Sequence, residues 1–357
     1  MSRSSVLSTP ISITGVAALL LLLGPGAAPA AAQEAEQHTL RGDRVAIHNL
    51  AGVAEITAGT GTDVIVEVRR GGSDAARLEI QTGAIEGRET LRVLYPEDRV
   101  VYTRGNGSFR TAVHVREDGT IGRGGRRVEI RGSGSGMEAH ADLRILVPAG
   151  KDVAFHLGVG RVDARNVNGN LRIDVASAAV ETAATRGNLS IDTGSGRVSV
   201  TDAQGDVDID TGSGSVEVAG VTGRQLRIDT GSGSVEVNGA RLESVLEIDT
   251  GSGRIRATGI AASDIRFDTG SGSIDLALTA PARDIELDAG SGSVTLRVPE
   301  GFGADVEMDT GSGGIEVDVP GIQTVRQTRD YFRGTIGDGA ARVRIDTGSG
   351  RARLVRS

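Results

Sequence analysis

The stretch LSIDTGSGRVSV, residues 189–200, contains the pattern that decides the fold of this 357-residue chain. Apolar and polar residues alternate on both sides of its central DTGSG motif, and a period of two residues is typical of β-strands with one buried face. The stretch VDIDTGSGSVEV, residues 207–218, repeats the same arrangement. The sequence therefore predicts pairs of short strands around a glycine-rich motif.

The DTGSG motif recurs at nearly constant spacing along the second half of the chain. Successive motif aspartates are 18 to 21 residues apart, except for a last step of 37 residues, which is close to two periods. They are Asp192, Asp210, Asp229, Asp249, Asp268, Asp288 (in the variant DAGSG), Asp309 and Asp346. Degenerate copies at His156 and Asp174 extend the array backward, so residues 156–352 hold about ten or eleven units.

Units of two or three short strands cannot bury an apolar face alone, but stacked units share one continuous core. We therefore predict an all-β fold, a single-stranded parallel β-solenoid (β-helix) with about 18 to 21 residues per rung. In-register stacking is also favoured by the residues two positions before each motif aspartate, which alternate in charge: Asp208, Arg227, Glu247, Arg266 and Glu286. An antiparallel β-sandwich, with Gly-Ser-Gly segments as hairpin turns, is the alternative.

The composition agrees with a narrow core and excludes several kinds of chemistry. Aromatic residues make up 2% of the chain and glycine numbers 53, so small aliphatic side chains must fill the interior. Cysteine is absent, which excludes disulfides, thiolate metal sites and cysteine nucleophiles. The formal net charge of −8 argues against nucleic acid as a partner.

The N-terminal residues predict export. Arg3, the apolar run over 11–23 and the small residues up to Ala32 have the order of a secretory signal peptide, which we assign to residues 1–32. The run is shorter than the ~20 apolar residues of a membrane-spanning helix, so we expect no transmembrane segment after signal removal. The mature protein is expected in the periplasm, on the cell surface or in the medium.

Three regions follow the signal peptide. Residues 38–103 contain strand-like pieces without the full motif and are predicted to form N-terminal rungs or a cap. Residues 104–136, rich in glycine and arginine, are predicted to form a projecting insertion loop or hairpin. Residues 137–357 are the repeat solenoid, with an interruption at 322–339 whose aromatic pair is expected to plug the end of the core.

The insertion contains the one basic patch that the sequence indicates. Arg123, Arg126 and Arg127 lie close together in a chain that is otherwise acidic. An anionic partner would meet this block first, so the three arginines are a candidate binding loop. The partners considered are an envelope polysaccharide, lipid headgroups or another surface protein.

The motif aspartates are interpreted as turn residues. Aspartic proteases use two Asp-Thr-Gly copies that face each other, so that two carboxylates share a proton. Serial copies in one repeat phase do not form such a pair, whereas an aspartate can accept a hydrogen bond from a backbone N–H two residues on and fix a turn. Stacked carboxylates could also bind calcium, but no catalytic residue, specific metal site or cofactor is predicted.

Several segments resemble the bacterial "putative adhesin" family, originally a domain of unknown function. They are the repeats, YFRGTIG at 331–337 before a last RIDTGSG at 344–350, and DLRILVPAG at 142–150. The resemblance implies an exported β-solenoid and brings no catalytic residues with it. We therefore expect a non-enzymatic envelope or surface protein, a scaffold for adhesion or ligand binding. A polysaccharide-active β-helix enzyme, either a lyase or a hydrolase, is the alternative.

Overall fold

The computed structural model describes residues 35–105 and 108–357, so the predicted signal peptide lies outside the described residues. The strands before the repeats are β1 (Glu36–Leu40), β2 (Arg44–Ala58), β3 (Val64–Gly71), β4 (Glu79–Ile85), β5 (Arg88–Leu94), β6 (Arg99–Val101), β7 (Arg110–Val115), β8 (Arg126–Arg131), β9 (Met137–Glu138) and β10 (His140–Val147). A single 3-10 turn spans Ala75–Arg77, and nothing helical in these residues is long enough to cross a membrane.

The repeat region continues the series to β28. Its strands are β11 (Lys151–Arg165), β12 (Gly169–Ala183), β13 (Leu189–Ser195), β14 (Val198–Thr201), β15 (Val207–Ser213), β16 (Val216–Thr230), β17 (Val235–Thr250), β18 (Ile255–Ala261), β19 (Asp264–Thr269), β20 (Ile274–Leu278), β21 (Asp284–Ala289), β22 (Val294–Val298), β23 (Ala304–Thr310), β24 (Ile315–Asp318), β25 (Gln323–Gln327), β26 (Tyr331–Ile336), β27 (Ala341–Thr347) and β28 (Ala352–Arg356).

Parallel pairing stacks the repeats into a solenoid, which confirms the predicted all-β class. β13 pairs with β15, β15 with β16, and β16 with β17, always in parallel. Each pairing places a motif aspartate beside the aspartate of the next rung. Antiparallel pairs among the described residues lie in the end caps and in a small separate sheet, so the repeats do not form the alternative sandwich.

The alternating pattern places aliphatic side chains inside the coil. Val235 and Ile248 are each 1% exposed, and equivalent residues on neighbouring rungs are buried with them. Several consecutive rungs also have a short third contact, seen as single bridges that join Arg186, Gln204 and Thr222. The interior is therefore a narrow aliphatic column, and little room is left for aromatic side chains.

The C-terminal rung is stacked out of sequence order. β27 pairs in parallel with β21 on one side and with β23 on the other, and β28 lies between β22 and β24 in the same way. Asp346 therefore lies between Asp288 and Asp309, although it follows both in the chain. The 37-residue step is thus a return of the chain into the stack, and not two successive rungs.

The order of the rungs agrees with the alternating charges. Glu286 lies opposite Arg344, which in turn lies opposite Glu307. Stacking in sequence order would place Glu286 beside Glu307, and like charges directly opposite each other destabilise a sheet. Insertion of Arg344 keeps the signs alternating, and Arg333 on the antiparallel strand β26 extends the series beyond Glu307.

Arg344→Glu should test whether this charge order stabilises the inserted rung. The change reverses two cross-strand pairs, each worth roughly 0.2–1 kcal/mol, so the free energy of unfolding should fall by about 1–2 kcal/mol. Urea denaturation at low and high salt measures it, and salt should reduce the loss. Arg241→Glu, at an exposed arginine outside the charged series, is the control. Equal losses in both variants would contradict the assignment.

Antiparallel strands close both ends of the solenoid. At the N-terminal end, β3 pairs antiparallel with β10 and β1, and β4 pairs antiparallel with β5. At the other end, β26 lies antiparallel on β23 and is followed by β25. Phe332 is 1% exposed opposite Met308, and so fills the end of the core as expected. Tyr331 faces outward, and its hydroxyl donates to the Glu307 carboxylate at 3.0 Å.

Residues 104–136 contain a hairpin, one of the two predicted forms, but the prediction that the segment projects from the rungs is wrong. β7 and β8 form an antiparallel hairpin within this segment, and β8 also pairs in parallel with β6 in a four-stranded sheet. Val128 and Ile130 are fully buried, and Ile130 packs so close to Gly158 that a Cβ there would lie 2.6 Å from it. The segment covers the first rungs and belongs to the core. The strands of this segment are short and lie between glycines, so their alternating pattern is weak. The pairing of β8 with β6, about 30 residues earlier in the chain, has no local sequence signal.

Candidate functional site

Nine aspartates form one continuous column along an outer face of the solenoid. In spatial order they are Asp174, Asp192, Asp210, Asp229, Asp249, Asp268, Asp288, Asp346 and Asp309. Their side chains point to solvent, because the residues on either side of each aspartate in the strand are buried or half-buried. We call this row the aspartate column. Adjacent strands are ~4.8 Å apart, so each of the seven inner carboxylates has a like charge on both sides.

At three of the motifs, the turn that follows the aspartate is held by a threonine hydroxyl that bonds to two backbone groups. Thr250 is fully buried; its hydroxyl donates to the Gly233 carbonyl of the previous rung at 3.1 Å and accepts from the Gly253 N–H at 3.0 Å. Thr269 and Thr347 make the same pair of bonds. In the part of the chain that the structure describes, no motif aspartate side chain accepts a backbone bond of this kind. The predicted turn role therefore belongs to the neighbouring threonine.

The second glycine of the motif is required by the close approach of the rungs. A Cβ on Gly253 would lie 1.7 Å from the Gly233 carbonyl oxygen, and one on Gly272 would lie at the same distance from the Gly253 oxygen. No side chain fits at such a distance. Together with the threonine bonds, this contact explains why Thr-Gly-Ser-Gly recurs without any contribution from the aspartate.

Thr250→Val should separate the role of threonine from that of aspartate. Valine keeps the shape but leaves the Gly253 N–H and the Gly233 carbonyl without this partner, and an unsatisfied buried polar group costs about 1–3 kcal/mol. We expect the free energy of unfolding to fall by that amount in chemical denaturation. Thr222→Val, at an exposed strand position, should change it little. Equal stability of the two variants would show that the threonine bonds do not hold the turn.

Burial and like charges raise the pKa of several column carboxyls. Partial burial is the larger cause for Asp192, Asp229, Asp249 and Asp288, and the neighbouring aspartates add to it. A pKa that is higher in the folded state means that protonation favours folding. The ionised column therefore destabilises the fold at neutral pH, and this penalty disappears as the pH falls below the aspartate pKa values.

Asp249→Asn should stabilise the protein at pH 7. The repulsion between unit charges ~4.8 Å apart in water is about 0.9 kcal/mol per neighbour, and salt screens it, so a gain of up to about 1 kcal/mol is expected. The gain should vanish below pH 3.8, the ordinary value for this group, because the wild-type carboxyl is then protonated. Melting curves across this pH range, with Glu243→Gln as an exposed control, measure it. A loss of stability of Asp249→Asn at pH 7 would indicate that the aspartate holds the turn after all.

A second charged column runs beside the aspartates, but its members neutralise each other. Arg227 and Glu247 form a 3.1 Å ion pair between adjacent rungs, and the signs alternate along the column in register. The predicted alternation is therefore present in space. Because these charges cancel, the net negative charge of the face comes from the aspartate column.

Two histidines continue the aspartate column at its N-terminal end. His156 lies beside Asp174, with 3.4 Å between Nδ1 and Oδ2, and stacks on His48 with ring centroids 4.2 Å apart. His48 Nδ1 accepts a hydrogen bond from the Ile121 N–H at 3.1 Å. Burial, followed by the neighbouring His156, lowers the pKa of His48 to about 3, so its ring is neutral. Sequence spacing indicated no role for these histidines, although His156 occupies the aspartate position of its repeat.

The three arginines predicted as a binding loop do not form one patch. Arg126 forms an ion pair with Asp98 and donates to the Tyr95 carbonyl, so it is part of a polar network. Arg127, the next residue of β8, lies opposite His114 and points to the other face of the strand. Arg123 lies in the turn between β7 and β8. Within residues 35–105 and 108–357, no group of three acidic or histidine side chains converges to hold a metal ion.

The repeat architecture described above is that of a known sequence family. Residues 97–354 match the Toastrack DUF4097 family. The chain belongs to this family. The match covers most of the chain, including the four-stranded sheet and the inserted C-terminal rung. It agrees with the expected uncharacterised family of solenoid-like domains, and it assigns no catalytic residue.

One solved structure also shows similarity to the chain. It is a crystal structure from Clostridium sporogenes, described as a "putative cell adhesion protein". The two share 10% sequence identity over 91% of this chain and 99% of that chain, with a TM-score of 0.24. A likeness at this TM-score carries no argument about fold or function. No curated protein matches the chain.

Proposed function

We propose that this protein is a non-enzymatic scaffold of the cell envelope, and that its aspartate column binds a basic protein partner. The observation that carries the proposal is the row of nine in-register carboxylates on one outer face. Membership of an uncharacterised solenoid family is compatible with a scaffold. The predicted signal peptide supports the envelope location.

The fold does not need aspartate at these positions. Threonine makes the turn bonds at three of the motifs, glycine permits the close stacking, and the ionised carboxylates repel one another. A feature that opposes local stability is expected where a protein has a functional site. The repeated aspartate is therefore better explained by an interaction outside the chain than by the stability of the solenoid.

The geometry of the column favours a partner with an extended basic surface. Nine carboxylates ~4.8 Å apart form a row roughly 40 Å long. Lysine or arginine side chains along a partner would neutralise many of them at once, with an affinity that decreases with salt. An anionic polysaccharide or lipid headgroup does not fit this face, so another surface protein is the preferred member of the predicted partner classes.

Neutralisation of the column tests the proposal. The variant Asp210→Asn, Asp229→Asn, Asp249→Asn and Asp268→Asn removes four adjacent charges. Its control removes the same number of charges from exposed acids outside the column: Glu217→Gln, Glu236→Gln, Glu243→Gln and Glu300→Gln. Immobilised poly-lysine is the probe, and binding is measured over a salt series after a melting curve has shown that each variant is folded.

We expect the column variant to lose at least about tenfold in affinity and a large part of its salt dependence, while the control stays close to wild type. Equal losses in both variants would show that overall negative charge, and not the column, determines binding. A screen of the wild-type protein on envelope polysaccharides tests the non-enzymatic part. Turnover of any of them would favour the lyase or hydrolase alternative.

A further inference from the structure

A cavity of about 470 Å³ lies at the N-terminal end of the solenoid, apart from the nine aspartates. Its walls come from β2, from the end of β5 and the residues after it, and from the β7–β8 hairpin that covers the first rungs. A volume of this size is in the usual range for small-molecule sites, roughly 300–1,000 Å³. The cavity exists because residues 104–136 fold back over the rungs.

Most of the cavity wall is apolar. Leu50, Val93 and Val115 line it and are buried, and the partly exposed Ile121 closes one side. Tyr95 also lines it, but its hydroxyl donates to Asn49 Oδ1 at 2.9 Å in the protein interior. Tyr95 therefore has a satisfied hydroxyl and contributes mainly apolar ring surface. The wall suits an aliphatic or aromatic body.

Two residues of the cavity lining, His48 and Arg116, can donate hydrogen bonds. His48 Nδ1 accepts from the Ile121 N–H, so the neutral ring carries its hydrogen on Nε2, which has no hydrogen-bond partner among the described residues. Arg116 lines the same cavity; its Nε donates to the Arg123 carbonyl at 3.4 Å, and its nearest carboxylate, that of Glu86, is 3.8 Å away. Arg126, by contrast, is held by Asp98. The Arg116 guanidinium is thus the more weakly paired cation at the cavity.

We infer that this cavity binds a small amphipathic carboxylate. The apolar body would lie against Leu50, Val93 and Val115, and the carboxylate would accept hydrogen bonds from His48 Nε2–H and the Arg116 guanidinium. Charge-assisted bonds of this kind are roughly twice as strong as neutral ones. Glu79 and Glu117 are also in the lining, but both are exposed and remain hydrated at the mouth. The inference does not depend on the proposed function of the aspartate column.

Three probes with the same alkyl chain separate the head-group requirement from apolar binding. Isothermal titration of the mature protein is carried out with dodecanoate, dodecanol and dodecyltrimethylammonium, each below its aggregation concentration. We expect dodecanoate to bind at one site, dodecanol at least about tenfold more weakly, and the cation not to bind measurably. Equal binding of dodecanol, or preferential binding of the cation, would overturn the inference.

Two variants and a neighbouring control locate the site. Arg116→Gln should weaken dodecanoate binding by about tenfold or more, and Ile121→Trp should block it by filling the cavity. Arg123→Gln, in the same turn but outside the lining, should bind as wild type. Circular dichroism melts show that each variant is folded. Equal affinities of Arg116→Gln and Arg123→Gln for dodecanoate would overturn the assignment. If a variant does not fold, the comparison of the three probes on the wild-type protein still tests whether the cavity prefers a carboxylate.

Discussion

In-register parallel stacking is the constraint on which the rest of this structure depends. Each side chain lies beside the equivalent side chains of the rungs above and below, so a residue type repeated at one position becomes a continuous column. Ile209, Ile228 and Ile248 gain from this arrangement because they bury one another. Aspartates one position further on face solvent in the same register and repel one another. One geometric rule thus produces both the core and the acidic face.

The DTGSG motif divides its tasks among neighbouring residues. The threonine joins consecutive rungs through its hydroxyl, and the second glycine lets the backbones approach within a distance that no Cβ would permit. At the motifs of Thr250, Thr269 and Thr347 these bonds are made without the aspartate side chain. The aspartate is therefore free to differ without loss of the fold, as His48 and His156 show at the beginning of the same column. Its recurrence on nine rungs requires another explanation.

Much of this fold could be predicted from the sequence, because period-two alternation and constant spacing are local signals. The inward positions of Val235 and Ile248 follow directly from them. The position of the last rung in the stack does not follow from these signals, since a 37-residue step also fits two ordinary rungs. Asp and Thr both favour turns, so only geometry shows which one makes the bonds. The histidines and the cavity depend on the packing of residues 104–136 onto distant rungs, which no local pattern reveals.

The two charged columns of the outer face differ in how they treat repulsion between neighbouring rungs. Two residues before each aspartate the signs alternate, and the alternation is kept where Arg344 lies between Glu286 and Glu307. At this position the sequence therefore avoids like charges on neighbouring rungs. At the aspartate position it does not do so, and in the middle of the column, as at Asp229 and Asp249, burial and the neighbouring carboxylates raise the pKa of the carboxyl. A basic partner would remove that repulsion on binding, so its binding and the stability of the solenoid would be thermodynamically linked.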